Sequence, residues 1–294
     1  MRSTNLTRPN GNGSMLRVAL PNKGSLAEPA QQMLHEAGYR TRRDLKELVV
    51  TDVANGVELF YLRPRDIAVY VGQGTVNAGI TGRDLLLDSG SGALEVMTLG
   101  FGASTFWYAA KPGTASSVTD LGGHRVATSY PGLVQAHVVG HGIDATVVRL
   151  DGAVETAVTL GVADVIADVV ETGATLRSQG LEVFGEPILR SEAVLIRDGR
   201  EDASRIEVLR RRLLGVVTAR SYVMLDYDCP IALVTRACAI TPGLESPTVS
   251  PLANHDWVAV RSMVPRRSTN QVMDELYELG ARAILVTDIA ACRL

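Results

Sequence analysis

The sequence predicts an α/β fold on three observations. Short apolar strands alternate with helix-periodic segments along the first two thirds of the chain. Several of those strands run straight into glycine- and hydroxyl-rich turns, and α/β sheets bind ligands at the carboxyl ends of their strands. After about residue 200 the texture changes, and the last quarter follows the order β, α, β, α, β, the outline of a ferredoxin-like unit.

Leu16 to Leu20 reads as a strand entering the turn Pro21-Asn22-Lys23-Gly24-Ser25. Ala30, Met33, Leu34 and Ala37 follow at helical spacing before Gly38. Val57 to Leu62 reads as a strand, Pro64 to Val71 as a short helix, Ala78 to Ile80 as a buried strand and Asp84 to Leu87 as a helix start. The alternation continues through Arg125 to Ala127, Leu133 to Val139, Thr146 to Val148 and Val154 to Leu160, and parallel sheets are expected. Ile206, Leu209, Leu213 and Val217 stripe an arginine-rich helix. Beyond it come the strand Tyr222 to Leu225, a helix near Ile231 to Ala239, an extra strand near Thr248, the strand Trp257 to Val264, a helix about Leu276 and the strand Ala283 to Val286.

The 294 residues suffice for two or three domains with a substantial core. A net charge of −3 gives no basic footprint for nucleic acid. No apolar run approaches the roughly 20 residues of a membrane span, and no signal peptide is evident, so a cytoplasmic location is expected. Residues 1–14 are polar and turn-forming and read as a disordered tail. Cys229, Cys238 and Cys292 form no C-x-x-C pair, and His137 and His141 lack the glutamate of a zinc hydrolase motif.

The stretch Glu155 to Leu176 is chemically the most specific. Val165, Ile166, Val169 and Val170 form a β-branched run interrupted by Asp168, and Thr172-Gly173-Ala174-Thr175 opens a helical segment. Glycine admits close backbone approach, and unpaired N–H groups with threonine hydroxyls suit a phosphate. Asp168 accepts two hydrogen bonds and suits the vicinal hydroxyls of a ribose. A carboxylate followed by an anion turn thus reads as a ribose 5-phosphate site, with a helix cap and an ordinary Thr-Gly turn as the alternative. Neither a P-loop nor a dinucleotide fingerprint occurs.

At these residues the chain resembles the long form of the ATP phosphoribosyltransferase family, the first enzymes of histidine biosynthesis, from Met15 to Leu294. The family signature is met by Glu155, Gly161, Ala163, Ile166, Asp168, Thr172, Gly173, Thr175 and Leu176. The segments PNKGSL, RPRDIAVYVGQG, GITGRD, YDCP and TPGLESPT are also family-like. The resemblance implies a two-lobed catalytic core like a type II periplasmic binding protein, with a C-terminal ferredoxin-like (ACT-like) regulatory domain. Lobe I is placed at 15–102 and 196–220, the inserted lobe II at 103–195, and the regulatory domain at 221–294.

The implied reaction is displacement at the anomeric carbon of phosphoribosyl pyrophosphate by adenine N1 of ATP, with magnesium pyrophosphate leaving. Adenine N1 already has a free lone pair, so no protein nucleophile is needed, and alignment and charge stabilisation carry catalysis. Asp168, Val169, Thr172, Gly173, Ala174 and Thr175 are assigned to phosphoribosyl pyrophosphate, and Lys23 to a phosphate. Glu155, at an expected helix start, is assigned to substrate hydroxyls or a magnesium-bound water. Arg63, Asp84 and Tyr130 are assigned to ATP, with helix capping as the alternative for Asp84 and hinge packing for Tyr130. Mg2+ is expected mostly on substrate and water, its protein ligands unassigned. The resemblance further implies histidine as feedback inhibitor, at Asp228, Thr248 and Ala283, in a dimer or hexamer with no separate regulatory subunit. For Asp228 the alternative is a turn with Cys229-Pro230. Competing functions are a solute-binding protein and a phosphoribosyltransferase acting on another base.

Overall fold

The computed structural model describes residues 15–170, 174–200 and 203–293. The expected tail of residues 1–14 lies outside them, as do Thr172 and Gly173. The chain divides into two units, one running through Gln31 and then from Arg40 to Ile206, the other comprising Gln32–Tyr39 and Glu207–Leu294.

The first unit begins with β1 (Leu16–Pro21), the start of α1 (Ala27–Glu36, which groups with the second unit from Gln32 on), β2 (Val49–Asp52), β3 (Val57–Leu62), α2 (Pro64–Gly72), β4 (Ala78–Gly82), α3 (Arg83–Ser89) and β5 (Ala93–Thr98). It continues with β6 (Ser104–Ala110), β7 (Arg125–Thr128), α4 (Pro131–Gly140), β8 (Thr146–Arg149), β9 (Val165–Val169), α5 (Ala174–Ser178), β10 (Glu182–Ser191) and β11 (Ala193–Asp198). One sheet has the order β2-β3-β1-β4-β11-β5 and the other β10-β6-β9-β7-β8. These are the two lobes. The chain passes from one to the other between β5 and β6 and returns between β10 and β11, as the type II binding-protein arrangement requires. β11 starts at Ala193, a few residues before the expected boundary.

The sheets are mixed, which corrects the expectation of purely parallel ones. β1 pairs in parallel with β3 and β4, and β7 with β8 and β9. The strands at the crossovers run antiparallel to these cores, β11 on β4 and β5, β10 on β6 and β6 on β9, because each leaves or re-enters a sheet from the opposite direction. Every residue of β4 is buried, and a Cβ added at Gly79 would fall 2.6 Å from Ile67 Cγ2, so glycine is what lets α2 lie flat on this strand. Proline at the first position of α2 fixes its entry. Ile67, Val71, Val194 and Ile196 fill the first lobe, and Phe106, Tyr108, Val126, Val134 and Val165 the second. Each such side chain contributes about 1.5–3 kcal/mol by burial.

The helix expected over Val154 to Leu160 is a 3-10 turn, Val154–Thr156, followed by further turns. Left-handed backbone at Ala153 (φ 48°) precedes the segment and left-handed Gly161 (φ 71°) follows it. Glu155 therefore lies on a turn and not at the start of a helix.

The second unit contains α6 (Glu207–Ser221), β12 (Tyr222–Pro230), α7 (Val234–Ile240), β13 (Thr248–Pro251), β14 (Trp257–Pro265), α8 (Thr269–Leu279) and β15 (Arg282–Asp288). Residues 207–220, expected with lobe I, group here. Arg220 pairs with Glu36 at 2.9 Å and the Arg212 guanidinium lies 4.9 Å from the Tyr39 ring. The sheet order β13-β14-β12-β15 is that of a ferredoxin-like fold, with β13 as the extra strand anticipated near Thr248. β12 is longer than the expected Tyr222 to Leu225. Its alternation continues through Tyr227 and Cys229, both buried against a core that includes Ala237 of α7 and Leu276 of α8.

Candidate active site

The carboxyl ends of β1, β4 and β9 and the start of α4 meet at one cavity of about 340 Å³. Its lining includes Lys23, Ser25, Asp84, Ser104, Tyr130 and Val169. Four of these were predicted from sequence, and they come from segments far apart in the chain. A neighbouring cavity of about 620 Å³ shares Ala103 and Ser104 and reaches Arg83, Thr105, Val170 and Arg190.

Lys23 is exposed, with no ion-pair or hydrogen-bond partner for its ammonium among the described residues. Its turn is held from beneath. Asn22 N–H donates to the Leu62 carbonyl at 2.8 Å, and Arg42 Nη2 donates to the Asn22 carbonyl at 3.2 Å. Arg42 is only 6% exposed. Its guanidinium donates to Gln31 Oε1 and the Leu45 carbonyl and lies 4.2 Å from the Tyr61 ring, and no carboxylate pairs with it among the described residues. Oxygens and an aromatic face thus keep a buried cation directly under the Lys23 turn. Arg42→Ala strands three acceptors and removes that packing, so urea unfolding should show a loss of about 2–4 kcal/mol.

Asp84 is buried in the first turn of α3. The helix N-cap is Gly82, so the capping alternative for Asp84 is withdrawn. Its Oδ1 accepts from Ser191 Oγ at 2.9 Å, and its own N–H donates to the same hydroxyl at 3.0 Å. Ser191 ends β10 beside the crossover, so Asp84 is tied to the junction of the lobes. Tyr130 is the N-cap residue of α4, edge-on to Phe106 with centroids 5.1 Å apart. It both lines the cavity and packs the lobe. Burial raises its hydroxyl well above the usual phenol range, and the Asp84 carboxylate adds to the effect.

Asp168 is half-buried near the end of β9, and Oδ1 accepts from Val169 N–H at 2.8 Å. Burial raises its carboxyl above the usual range, Glu155 pushes the same way, and Arg65 opposes them. An ionised Asp168 in this setting lacks solvent and gains from polar hydrogens on a ligand. Ala174 begins α5, its side chain outside the described residues, and Thr175 is exposed in the first turn. Arg63 stands exposed before α2 in extended conformation, with no side-chain partner among the described residues.

Sequence reasoning missed Arg65 and Asp88. Arg65 Nη1 is 3.2 Å from Asp88 Oδ2, and its guanidinium lies 4.8 Å from the Tyr130 ring centroid. The only local signal was the second arginine of Arg63-Pro64-Arg65, whose partners are distant in sequence.

In the second unit Asp228 lies within β12, opposite Ala259 and Arg282, so the turn alternative is withdrawn. Thr248 opposes Arg261, which in turn opposes Asp226, so Thr248 shares the sheet face of Asp226 and Asp228, away from α7 and α8. Thr248 also lines a cavity of about 450 Å³ with Ser246, Arg261 and Met263. Ala283 has φ 50° at a bulge in β15 where the register with β12 slips.

A family model described as HisG: ATP phosphoribosyltransferase matches residues 63–215, and one described as HisG, C-terminal domain, matches residues 219–291. An ATP phosphoribosyltransferase of Streptomyces coelicolor is 61% identical over 285 residues, 95% of this chain and 100% of the relative. Another, from Arthrobacter sp. strain FB24, is 63% identical over 286 residues with the same coverage. The solved ATP phosphoribosyl transferase (HisG:HisZ) complex from Thermotoga maritima matches with TM-score 0.60 and 25% identity, covering 69% of this chain and 98% of that one.

Proposed function

This chain is an enzyme of the ATP phosphoribosyltransferase family, and from that premise we propose that it transfers the 5-phosphoribosyl group of phosphoribosyl pyrophosphate to N1 of ATP, the first step of histidine biosynthesis. The observation that carries this reading is the convergence of Lys23, Asp84, Tyr130 and Val169 on one cavity at the carboxyl ends of parallel strands. Free cations and a desolvated carboxylate line or flank it. Asp168 takes the ribose hydroxyls of phosphoribosyl pyrophosphate, and residues 172–175 take its 5-phosphate. Lys23 meets a substrate phosphate, and Arg63, Asp84 and Tyr130 the nucleotide.

During transfer the bond from the anomeric carbon to pyrophosphate breaks as the bond to adenine N1 forms. Positive charge develops on the ribosyl ring and negative charge on the leaving oxygens, so fixed charges on both sides of the cleft lower the barrier. Magnesium, when bound, neutralises pyrophosphate oxygens. The donor set suits a largely substrate-borne ion. Among the described residues no cluster of three or more acidic, histidine or cysteine side chains is placed to hold a metal, whereas Asp168 and Glu155, whose charge Asp168 feels, offer hard oxygens for an ion's waters.

The C-terminal domain is the basis for proposing built-in feedback inhibition by histidine at Asp228, Thr248 and Ala283. The Thermotoga chain, whose complex includes HisZ, aligns with 69% of this one, and here the ferredoxin-like domain takes the place of such a partner. A dimer or hexamer in the cytoplasm completes the reading. No helix among the described residues is long and apolar enough to cross a membrane.

The test is to incubate purified protein with ATP, magnesium, phosphoribosyl pyrophosphate and a pyrophosphatase, and follow the phosphoribosyl-ATP chromophore with and without histidine. Product that histidine suppresses supports both parts of the reading. Binding of both substrates without product would point to a receptor or another acceptor base.

A further inference from the structure

Asp88 sits at the carboxyl end of α3 in lobe I, and its two oxygens are committed to different lobes, one across the cleft and one within lobe I. Oδ1 accepts from Gly132 N–H at 2.9 Å and Leu133 N–H at 3.2 Å, two amides of the first turn of α4 in lobe II. Oδ2 takes Arg65 of α2 at 3.2 Å. The first amides of a helix have no partner within it, and the helix dipole favours a negative group there. Proline at the first position of α4 and Tyr130 as a non-capping N-cap residue leave that role open, and a residue of the other lobe fills it. Contact is close enough that a Cβ added at Gly132 would run into the Asp88 carbonyl oxygen. The same carboxylate holds Arg65, whose guanidinium lies over the ring of Tyr130, the residue that leads into α4.

We propose that Asp88 is a positioning residue that latches lobe II to lobe I and, by orienting Arg65 against Tyr130, sets the alignment of the two walls of the active-site cleft for phosphoribosyl transfer. This rests on the function proposed above. Arg65 is the group that Asp88 works through. The charge of Arg65 also reaches Asp168 on the lobe II wall, lowering its carboxyl against the effect of burial. Loss of the latch frees the guanidinium and the α4 turn together, so substrate groups held by opposite walls lose their register while the fold of each lobe is retained. Misalignment by about an ångström is enough to cost on the order of a hundredfold in rate.

The experiment uses the full chain as wild type, Asp88→Ala, Asp88→Asn, Arg65→Ala, the Asp88→Ala/Arg65→Ala double variant and Gly132→Ala. Hydrogen-exchange mass spectrometry of the peptide over residues 130–134 reads the latch without reference to activity. Asp88→Ala should speed exchange at Gly132 and Leu133 about fivefold or more, the scale of a lost helix cap. Asp88→Asn, whose side-chain carbonyl still accepts, should fall between. Unchanged exchange in Asp88→Ala overturns the latch. In steady-state assays Asp88→Ala and Arg65→Ala should each lower kcat/KM about 10–100-fold, and the double variant no more than the worse single variant, as residues acting in series require. Losses that multiply overturn the claim that Asp88 acts through Arg65, and full activity in Asp88→Ala overturns the positioning role. Gly132→Ala keeps both side chains but wedges the helices apart, and it should reproduce the Asp88→Ala phenotype. A wild-type chain that makes no phosphoribosyl-ATP defeats the functional reading, while the exchange measurement still decides the latch.

Discussion

Alanine at Asp168 raises the apparent KM for phosphoribosyl pyrophosphate by about 100-fold and that for ATP by no more than about twofold. Two hydrogen bonds from ribose hydroxyls to a carboxylate contribute about 3 kcal/mol or more together, which gives the first figure. The second follows if ATP shares no partner with this side chain. Steady-state kinetics with each substrate varied in turn measures both, and equal losses for the two substrates would remove Asp168 from the ribose. The same residue should weaken the ligand-free fold. Burial and Glu155 hold its carboxyl above the unfolded value near 3.8, so ionising it costs stability. That cost is complete above the raised folded value and disappears as the pH falls below the unfolded one. Asp168→Asn therefore melts at a higher temperature than wild type at pH 7, and the gain shrinks on acidification. A carboxylate that costs stability without ligand yet repays it on binding is what a substrate contact predicts, whereas a structural acid would show a loss on substitution.

The α/β class was legible because apolar periodicity and turn chemistry agree along the chain. Lys23 and Val169 were legible because one follows and the other ends a strand whose residues announce it, and the parallel strands deliver both to one end. Arg65 and Asp88 were not, because no local pattern marks an acid at a helix carboxyl end that serves an amide 44 residues later. The Asp84–Ser191 pair, 107 residues apart, was hidden for the same reason. The misreading of Val154 to Leu160 has a different cause. Its apolar spacing suits a helix, but the segment forms only a 3-10 turn and further turns after a left-handed Ala153, and nothing about an alanine signals positive φ. Crossover strands were also opaque, since β6 and β11 read as apolar segments and only the sheet defines their direction.

Alanine at Asp228 should raise the histidine concentration for half-inhibition by about 10–100-fold while leaving turnover without histidine within about twofold. The choice between the two acids of that sheet face is physical. Asp226 already faces Arg261 at 2.6 Å, whereas Asp228 has no ion-pair or hydrogen-bond partner for its carboxylate among the described residues. A half-buried carboxylate without a cation is a receptor for one, and the ammonium or imidazolium of histidine has the charge to supply it under the proposed inhibition. Ala283 sharpens the case. A non-glycine residue at φ 50° is strained, and such strain persists where the surroundings hold it, often beside a ligand. The bulge it makes in β15 lies where the register with β12 slips between Asp226 and Asp228, so the backbone of Ala283 is displaced from regular pairing next to the carboxylate. Inhibition curves for Asp228→Ala, with calorimetric histidine titration of the same protein, separate the outcomes. Weaker binding matched by weaker inhibition is the signature of a site, because an effector changes activity only by as much as its affinities for the two states differ. Inhibition at the wild-type histidine concentration would exclude Asp228 from that site, and loss of turnover in the absence of histidine would make it a residue of the fold instead.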